Sequence, residues 1–220
     1  MGSIMLASMS GQTLQRKIAV VLTGAGHLDG AEITEAVSTL IAISETGASY
    51  QCFAPDLSNE SGANVLQMSQ RIARGKARPL SELRPADFDG LVFPGGFGAA
   101  KVLSNFAMKG SQATALPDVV RVIQEFHKDS KPMGFICIAP TLAGLVLGKT
   151  GVELTIGEDG EAAGELRKLG ALHTVCPVTD YISDRDQKVL STPAYMYDDA
   201  KPSDVFAGIR KMIRELVEMA

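Results

Sequence analysis

Cysteine occurs only three times in this chain of 220 residues, as Cys52, Cys137 and Cys176, with no CxxC pair among them. An odd number of thiols this far apart argues against a disulfide framework and against a zinc site, and for a reducing compartment. Histidine is equally scarce. His27, His127 and His173 show no ligand spacing with each other or with carboxylates, so no metal is expected. Positive charge is in short supply too: 21 Lys and Arg against 25 Asp and Glu leave a net charge of −4. Such a chain has no electrostatic footprint for nucleic acid, and none is expected as a partner. No apolar run reaches the length that spans a bilayer, which leaves no expectation of a membrane partner. Internal repeats and low-complexity linkers are missing as well.

What is present suits a globular α/β protein with tight connections: 45% apolar residues and 22 glycines. The opening "MGSIMLASMSGQTLQR" is rich in Ser and Met and free of acids, and it is too weakly basic for a secretory signal. Residues 1–16 therefore read as a disordered extension or leader, and 17–220 as a single domain. A cytoplasmic location is expected, or a mitochondrial one if the extension is a transit peptide.

Folding begins at "KIAVVLT", a β-branched run ending in the glycine turn "GAGHLDG", the pattern of a buried parallel strand and its exit loop. The helix predicted over "AEITEAVSTLIAIS" aligns Ile33, Val37, Leu40 and Ile41 on one stripe, with Asp29 as N-cap. "ASYQCFAP", "DGLVFPGGFG" and "KPMGFIC" read as further strands. A helix carrying Val119, Val122, Ile123 and Phe126 precedes the last of these. Residues 56–83 read as loop, helix and loop. Strand-like pieces follow at "VELTI", "HTVCPV", "DYISD" and "KVLSTPAYM", with a short helix at "EAAGELRKLG". A final helix, Ser203 to Met219, buries Val205, Ile209, Met212, Ile213 and Leu216. Alternating strands and helices predict one doubly wound α/β domain.

In such a sheet, sites form where strands end, beside the point at which strand order reverses. Cys137 closes an apolar strand, and "IAPTLAGLVLG" restarts as a helix near Ala139. That places the thiol in a sharp strand-to-helix turn, where the helix N-terminus favours a thiolate. Position alone leaves two readings open, since a free Cys is also a common buried hydrophobe. Cys52 and Cys176 read as structural. Gly95 and Gly96 follow a strand end and would let backbone N–H groups approach a ligand oxygen, although any tight turn uses such a pair. "FGAAK" lacks the GxGxxG spacing, so no dinucleotide cofactor is expected. Helical projection sets Glu32 at the border of the buried face and Glu35 on the wet one. Glu32 either serves the helix dipole or reaches a neighbouring loop as a carboxyl kept protonated by desolvation. His27 lies in the first of these loops and is a weaker candidate. His127 and His173 read as structural.

Taken together, "TGAGHLDGAEITEA", "CFAPD", "RIARGKARPL", "FPGGFGAAKVLSNFA", "GFICIAP" and "STPAYM" resemble the ElbB/ES1 family. This is a branch of the DJ-1/PfpI superfamily, which also takes in class I glutamine amidotransferase-like domains. The match runs from about Lys17 into the C-terminal helix. The resemblance implies a flavodoxin-like doubly wound sandwich with a mostly parallel central sheet. It makes Cys137 the nucleophile and Glu32 its carboxyl partner, with an oxyanion or substrate-binding region at Gly95, Gly96 and Ile138.

The activity it implies is a glutathione-independent glyoxalase of the lyase type, with deglycase activity as another description of the same chemistry. A small α-oxoaldehyde would be the substrate, no cofactor would be needed, and the protein would pair as a homodimer. Glyoxal or methylglyoxal would pass through a Cys137 hemithioacetal and an enediol to glycolate or lactate. A reading of a different class is a non-enzymatic redox-sensing or interaction protein of the same fold, with Cys137 oxidised beside Glu32. The chain departs from the family in a short 56–64 segment and in His27, which inherits no role. Ile138 also follows the cysteine where superfamily proteases carry histidine, so amide cleavage is not expected.

Overall fold

A computed structural model of the chain describes residues 15–220; the extension expected over residues 1–16 lies, up to residue 14, outside the described residues. In chain order the elements are β1 (Lys17–Val21), α1 (Ile33–Glu45), β2 (Ser49–Ala54), α2 (Val65–Ile72), β3 (Arg78–Pro79) and β4 (Gly90–Phe93). Two single-turn helices follow, α3 (Gly98–Lys101) and α4 (Phe106–Lys109), then α5 (Pro117–Lys128), β5 (Met133–Ile136) and α6 (Pro140–Leu147). The chain closes with β6 (Glu153–Leu154), α7 (Glu161–Lys168), β7 (Leu172–His173), β8 (Ile182–Asp184), β9 (Val189–Thr192) and α8 (Pro202–Met219).

Seven strands form one sheet in the order β3-β2-β1-β4-β5-β9-β8, and β6 and β7 pair separately. Every pairing in the large sheet is parallel except β8 with β9. The predicted doubly wound, mostly parallel sheet is the one observed. Strand order reverses at β1, whose neighbours are β2 and β4.

Because side chains alternate across a strand, β1 feeds two cores. Ala19 and Val21 join Phe93, Phe135 and the α5 residues Val119, Val122, Ile123 and Phe126 on one face. Ile18 and Val20 join Ile43 of α1 and Val205, Ile209, Met212, Ile213 and Leu216 of α8 on the other. The α5 and α8 stripes are thus buried as their spacing predicts. On the second face Gly90 and Gly134, in adjacent strands, let α8 lie close: a Cβ at Gly134 would come within 2.9 Å of Leu216 Cδ1.

Helix α1 departs from its sequence pattern. Its N-cap is Glu32 rather than Asp29, with Oε2 accepting from the Glu35 N–H at 2.7 Å. The face turned inward carries Glu35, Ala36, Ser38, Thr39, Leu40, Ala42 and Ile43, while Ile33, Val37 and Ile41 are exposed. Leu40 is buried as its spacing predicts, and the small residues beside it suit close packing against α8.

Candidate active site

The β5–α6 connection is built as an elbow. Cys137 donates its N–H to Thr192 O at 2.9 Å, holding it to β9, and has φ +60°, a left-handed conformation unusual for a side chain with a Cβ. Ala139 N–H then turns back to Ile136 O at 3.0 Å, and Pro140 opens α6 at a position where a missing N–H costs nothing. The thiol stands at the corner. Backbone strain of this kind costs on the order of 1–3 kcal/mol and persists only where surroundings over-determine it.

The β4 exit loop closes over the elbow. Gly96 has φ +95°, and a methyl there would overlap Gly30 O and the Glu32 N–H. The loops after β1 and β4 are laced by backbone bonds: Glu32 N–H to Gly95 O at 2.9 Å, Phe97 N–H to His27 O at 2.7 Å, and Gly98 N–H to Gly30 O at 3.0 Å. These bonds bring the start of α1 against Cys137.

The carboxyl set against Cys137 is Glu35, and this corrects the projection that put it in water. Glu35 is fully buried. Its Oε1 accepts from the Tyr195 N–H at 3.3 Å, an amide presented by the turn after β9, where Ala194 has φ +47°. Oε2 is buried without a hydrogen-bond partner, and the carboxyl faces the Cys137 side chain. A methyl on Gly95 would collide with both Cys137 Cβ and Glu35 Oε2, so the three groups meet at one point. Glu32 serves the helix as N-cap and lies on the wall of the cleft above. The helix starts at Ile33, so its third residue, Glu35, rather than Glu32, turns inward.

Burial, and secondarily the charge of Glu32, push the Glu35 carboxyl up to about 8, against the lowering effect of the Tyr195 N–H. Burial and the adjacent Glu35 also push the Cys137 thiol well above its ordinary value, while the Gly96 and Ile138 N–H groups draw it down. The expectation of a ready thiolate is therefore corrected. The amides and helix start do favour sulfur anion, but desolvation and a neighbouring carboxyl outweigh them. At neutral pH the pair keeps its protons. Gly96 and Ile138, anticipated as amide donors, both aim at the sulfur. Gly95 instead contributes close packing and an N–H toward Glu35.

Burial raises Cys52 to about 12 and Cys176 to about 11, and neither borders the cleft at Cys137. His27 is exposed at the cleft rim, with only its carbonyl in the lacing. The His173 side chain lies buried against Asp159, away from Cys137's cleft. Among the described residues no group of three or more His, Cys, Asp or Glu is placed to hold a metal, and no helix is long and apolar enough to cross a membrane.

Above Cys137 opens a cleft of about 900 Å³. Phe97, Phe106, Met108, Ile138 and Met196 give it an apolar wall, and Glu32, Glu161 and Asp198 stand on its sides. No sequence signal pointed to Phe106 through Gly110 as lining. "KVLSTPAYM", expected as strand-like, is strand only over Val189–Thr192, and Tyr195 lies in the turn that follows.

No family model matches the chain. It is 41% identical to the human protein described as glutamine amidotransferase-like class 1 domain-containing protein 3, mitochondrial, over 92% of this chain and 83% of the human one. The rat ES1 protein homolog, mitochondrial, is 40% identical over 92% of this chain and 84% of its own. Among solved structures, an isoprenoid biosynthesis protein with amidotransferase-like domain from Ehrlichia chaffeensis superposes with a TM-score of 0.85 at 33% identity, covering 93% and 99% of the two chains. Drosophila melanogaster DJ-1beta shares the fold, with a TM-score of 0.59 at 16% identity over 93% of this chain and 91% of that one.

Proposed function

This chain belongs to the ES1 family of amidotransferase-like proteins, and we propose that it is a cofactor-independent enzyme converting glyoxal or methylglyoxal to glycolate or lactate. The observation that carries the reading is the buried Cys137–Glu35 pair, held at a strained elbow beneath an open cleft. Once Glu35 has released its own proton, it takes the thiol proton as sulfur adds to the aldehyde carbon, and the Gly96 and Ile138 N–H groups stabilise the new oxyanion. Glu35 passes the thiol proton on to that oxygen, which gives the hemithioacetal and returns Glu35 to its ionised form. Glu35 then moves a proton from the sulfur-bearing carbon to its neighbour through an enediol, leaving a thioester. Water cleaves the thioester, releasing the hydroxy acid and returning the thiol. The sequence consumes one water and needs no outside oxidant or reductant.

Deglycase turnover would use the same first addition. The redox-sensing alternative is separated by turnover: a sensor would oxidise at Cys137 without converting either oxoaldehyde. Purified protein should turn over one or both oxoaldehydes to the hydroxy acid, and Cys137→Ser should abolish this. Absence of turnover, or its survival in the serine variant, would end the proposal.

The exposed Ile33–Val37–Ile41 stripe of α1 supports a homodimer, since an aliphatic stripe complements a second copy of itself about a two-fold axis. The relatives are mitochondrial by name, which favours that compartment over the cytoplasm. Imaging of the full-length chain with a C-terminal tag tests this, and a diffuse cytoplasmic signal would overturn it.

A further inference from the structure

The cleft above Cys137 is far larger than a two- or three-carbon dicarbonyl requires. Its volume of about 900 Å³ lies toward the upper end of the range for drug-sized ligand sites. Phe97 and Met108 are 47% and 76% exposed, and with Lys101 Nζ 5.5 Å from the Phe97 ring centroid this wall still offers large apolar surface that the described residues leave open. Such surface beside a reactive group is what an apolar arm of a substrate would cover.

Charge around the opening is one-sided. Glu32, Glu161, Glu165 and Asp198 face the cleft, with Lys109 and His27 as the basic side chains there. Glu165 is already engaged, by Lys168 at 2.6 Å and by the Ser111 N–H at 2.5 Å. Glu161 and Asp198 are exposed, and neither is held by an ion pair among the described residues. A cleft lined by one sign of charge concentrates counter-ions of the other sign.

We infer that this cleft takes a carbonyl substrate bearing an apolar arm and a cationic group: the carbonyl at Cys137, the arm along Phe97, Phe106 and Met108, and the positive end beside Glu161 and Asp198. The inference rests on the proposed role of Cys137 as nucleophile and adds the class of substrate it serves.

Cys137 itself reports the local potential without any turnover. Methanethiosulfonates carrying a trimethylammonium, a sulfonate or a neutral benzyl group are reacted with the native protein. Modification of Cys137 is followed by peptide mass spectrometry, and each rate is divided by the same reagent's rate with free cysteine. The cationic reagent is expected to exceed the anionic one by about tenfold at low salt, the lower end of electrostatic enhancement in charged clefts. The ratio should fall toward one in 1 M salt and in the Glu161→Gln/Asp198→Asn double variant, while the benzyl rate stays constant. Phe97→Ala should slow the benzyl reagent alone. A ratio of one or below, a ratio unchanged in the double variant, or a Cys137 closed to all three reagents would overturn the inference. Loss of oxoaldehyde turnover with this selectivity intact would count against the proposed reaction alone.

Discussion

At Gly95 a single hydrogen separates the two groups on which the chemistry depends. Gly95→Ala would force a methyl against Cys137 Cβ and Glu35 Oε2. Overpacking of a closed site costs about 1–3 kcal/mol. We expect a lowered melting temperature and the loss of most oxoaldehyde turnover, and a variant with normal kinetics would contradict the geometry. Glu35 and Glu32 are separated by a second test. Glu35→Gln removes the proton acceptor, so turnover should fall by a factor on the order of 10² or more. Glu32→Gln weakens the N-cap, which costs about 1 kcal/mol of stability, and should spare most of the turnover. Steady-state kinetics with thermal melts on both variants check this, and the reverse ranking would restore Glu32 as partner. In the wild type, turnover at limiting substrate should rise with pH through about 8, as the pair gives up its first proton. A profile flat from pH 6 to 9 would exclude Glu35 as the base.

Helix α1 shows why amphipathic periodicity found the helix and mistook its orientation. Ile33, Val37 and Ile41 repeat at helical spacing, and a stripe of aliphatics ordinarily faces the core. Here the inward face is made of Ala36, Ser38, Thr39, Leu40, Ala42 and Ile43 with the functional Glu35 among them, so Leu40 of the expected stripe is buried and Ile33, Val37 and Ile41 are left exposed. If that stripe joins two copies, light scattering at micromolar concentration should give twice the chain mass. Val37→Asp should then shift the protein to monomer, because a carboxylate at the centre of an apolar interface loses its hydration. A monomeric wild type would leave the stripe without this role. The α5 and α8 stripes behaved otherwise because their large aliphatics do pack on the sheet, with glycines in β4 and β5 admitting α8.

Over the whole molecule, Glu35 makes stability depend on pH. Its folded-state pKa of about 8 lies above the ordinary 4.5, so the folded protein holds this proton more tightly than the unfolded chain. The associated stability is complete below pH 4.5, declines as pH rises, and is gone above about 8. At about 1.4 kcal/mol per pH unit, the loss at pH 7 is on the order of 3 kcal/mol. Glu35→Gln should therefore be more stable than the wild type at pH 8 and should lose that advantage near pH 4. Denaturant melts at the two pH values measure the difference. A gain in stability that is the same at both would mean that the carboxyl titrates normally.

The β-branched runs, the glycine turns and the placement of Cys137 between an apolar strand and a proline-headed helix were enough to determine a doubly wound sheet with a candidate thiol at its rim. These are local properties, and local backbone preference and alternation encode them directly. The two-residue strand β3, the short helices α3 and α4 and the cleft wall from Phe106 to Gly110 had no such signal, because neighbours in space hold them in place. Which carboxyl meets the thiol was also beyond local pattern. Placing Glu35 rather than Glu32 there depends on where α1 begins, and that start is tied by the Glu32 N–H to Gly95 O in the β4 exit loop, distant along the chain. The proton balance of Cys137 was decided at the same level. A helix start favours the thiolate wherever it occurs, but only the packed tertiary structure removes the water and sets a buried carboxyl beside the sulfur.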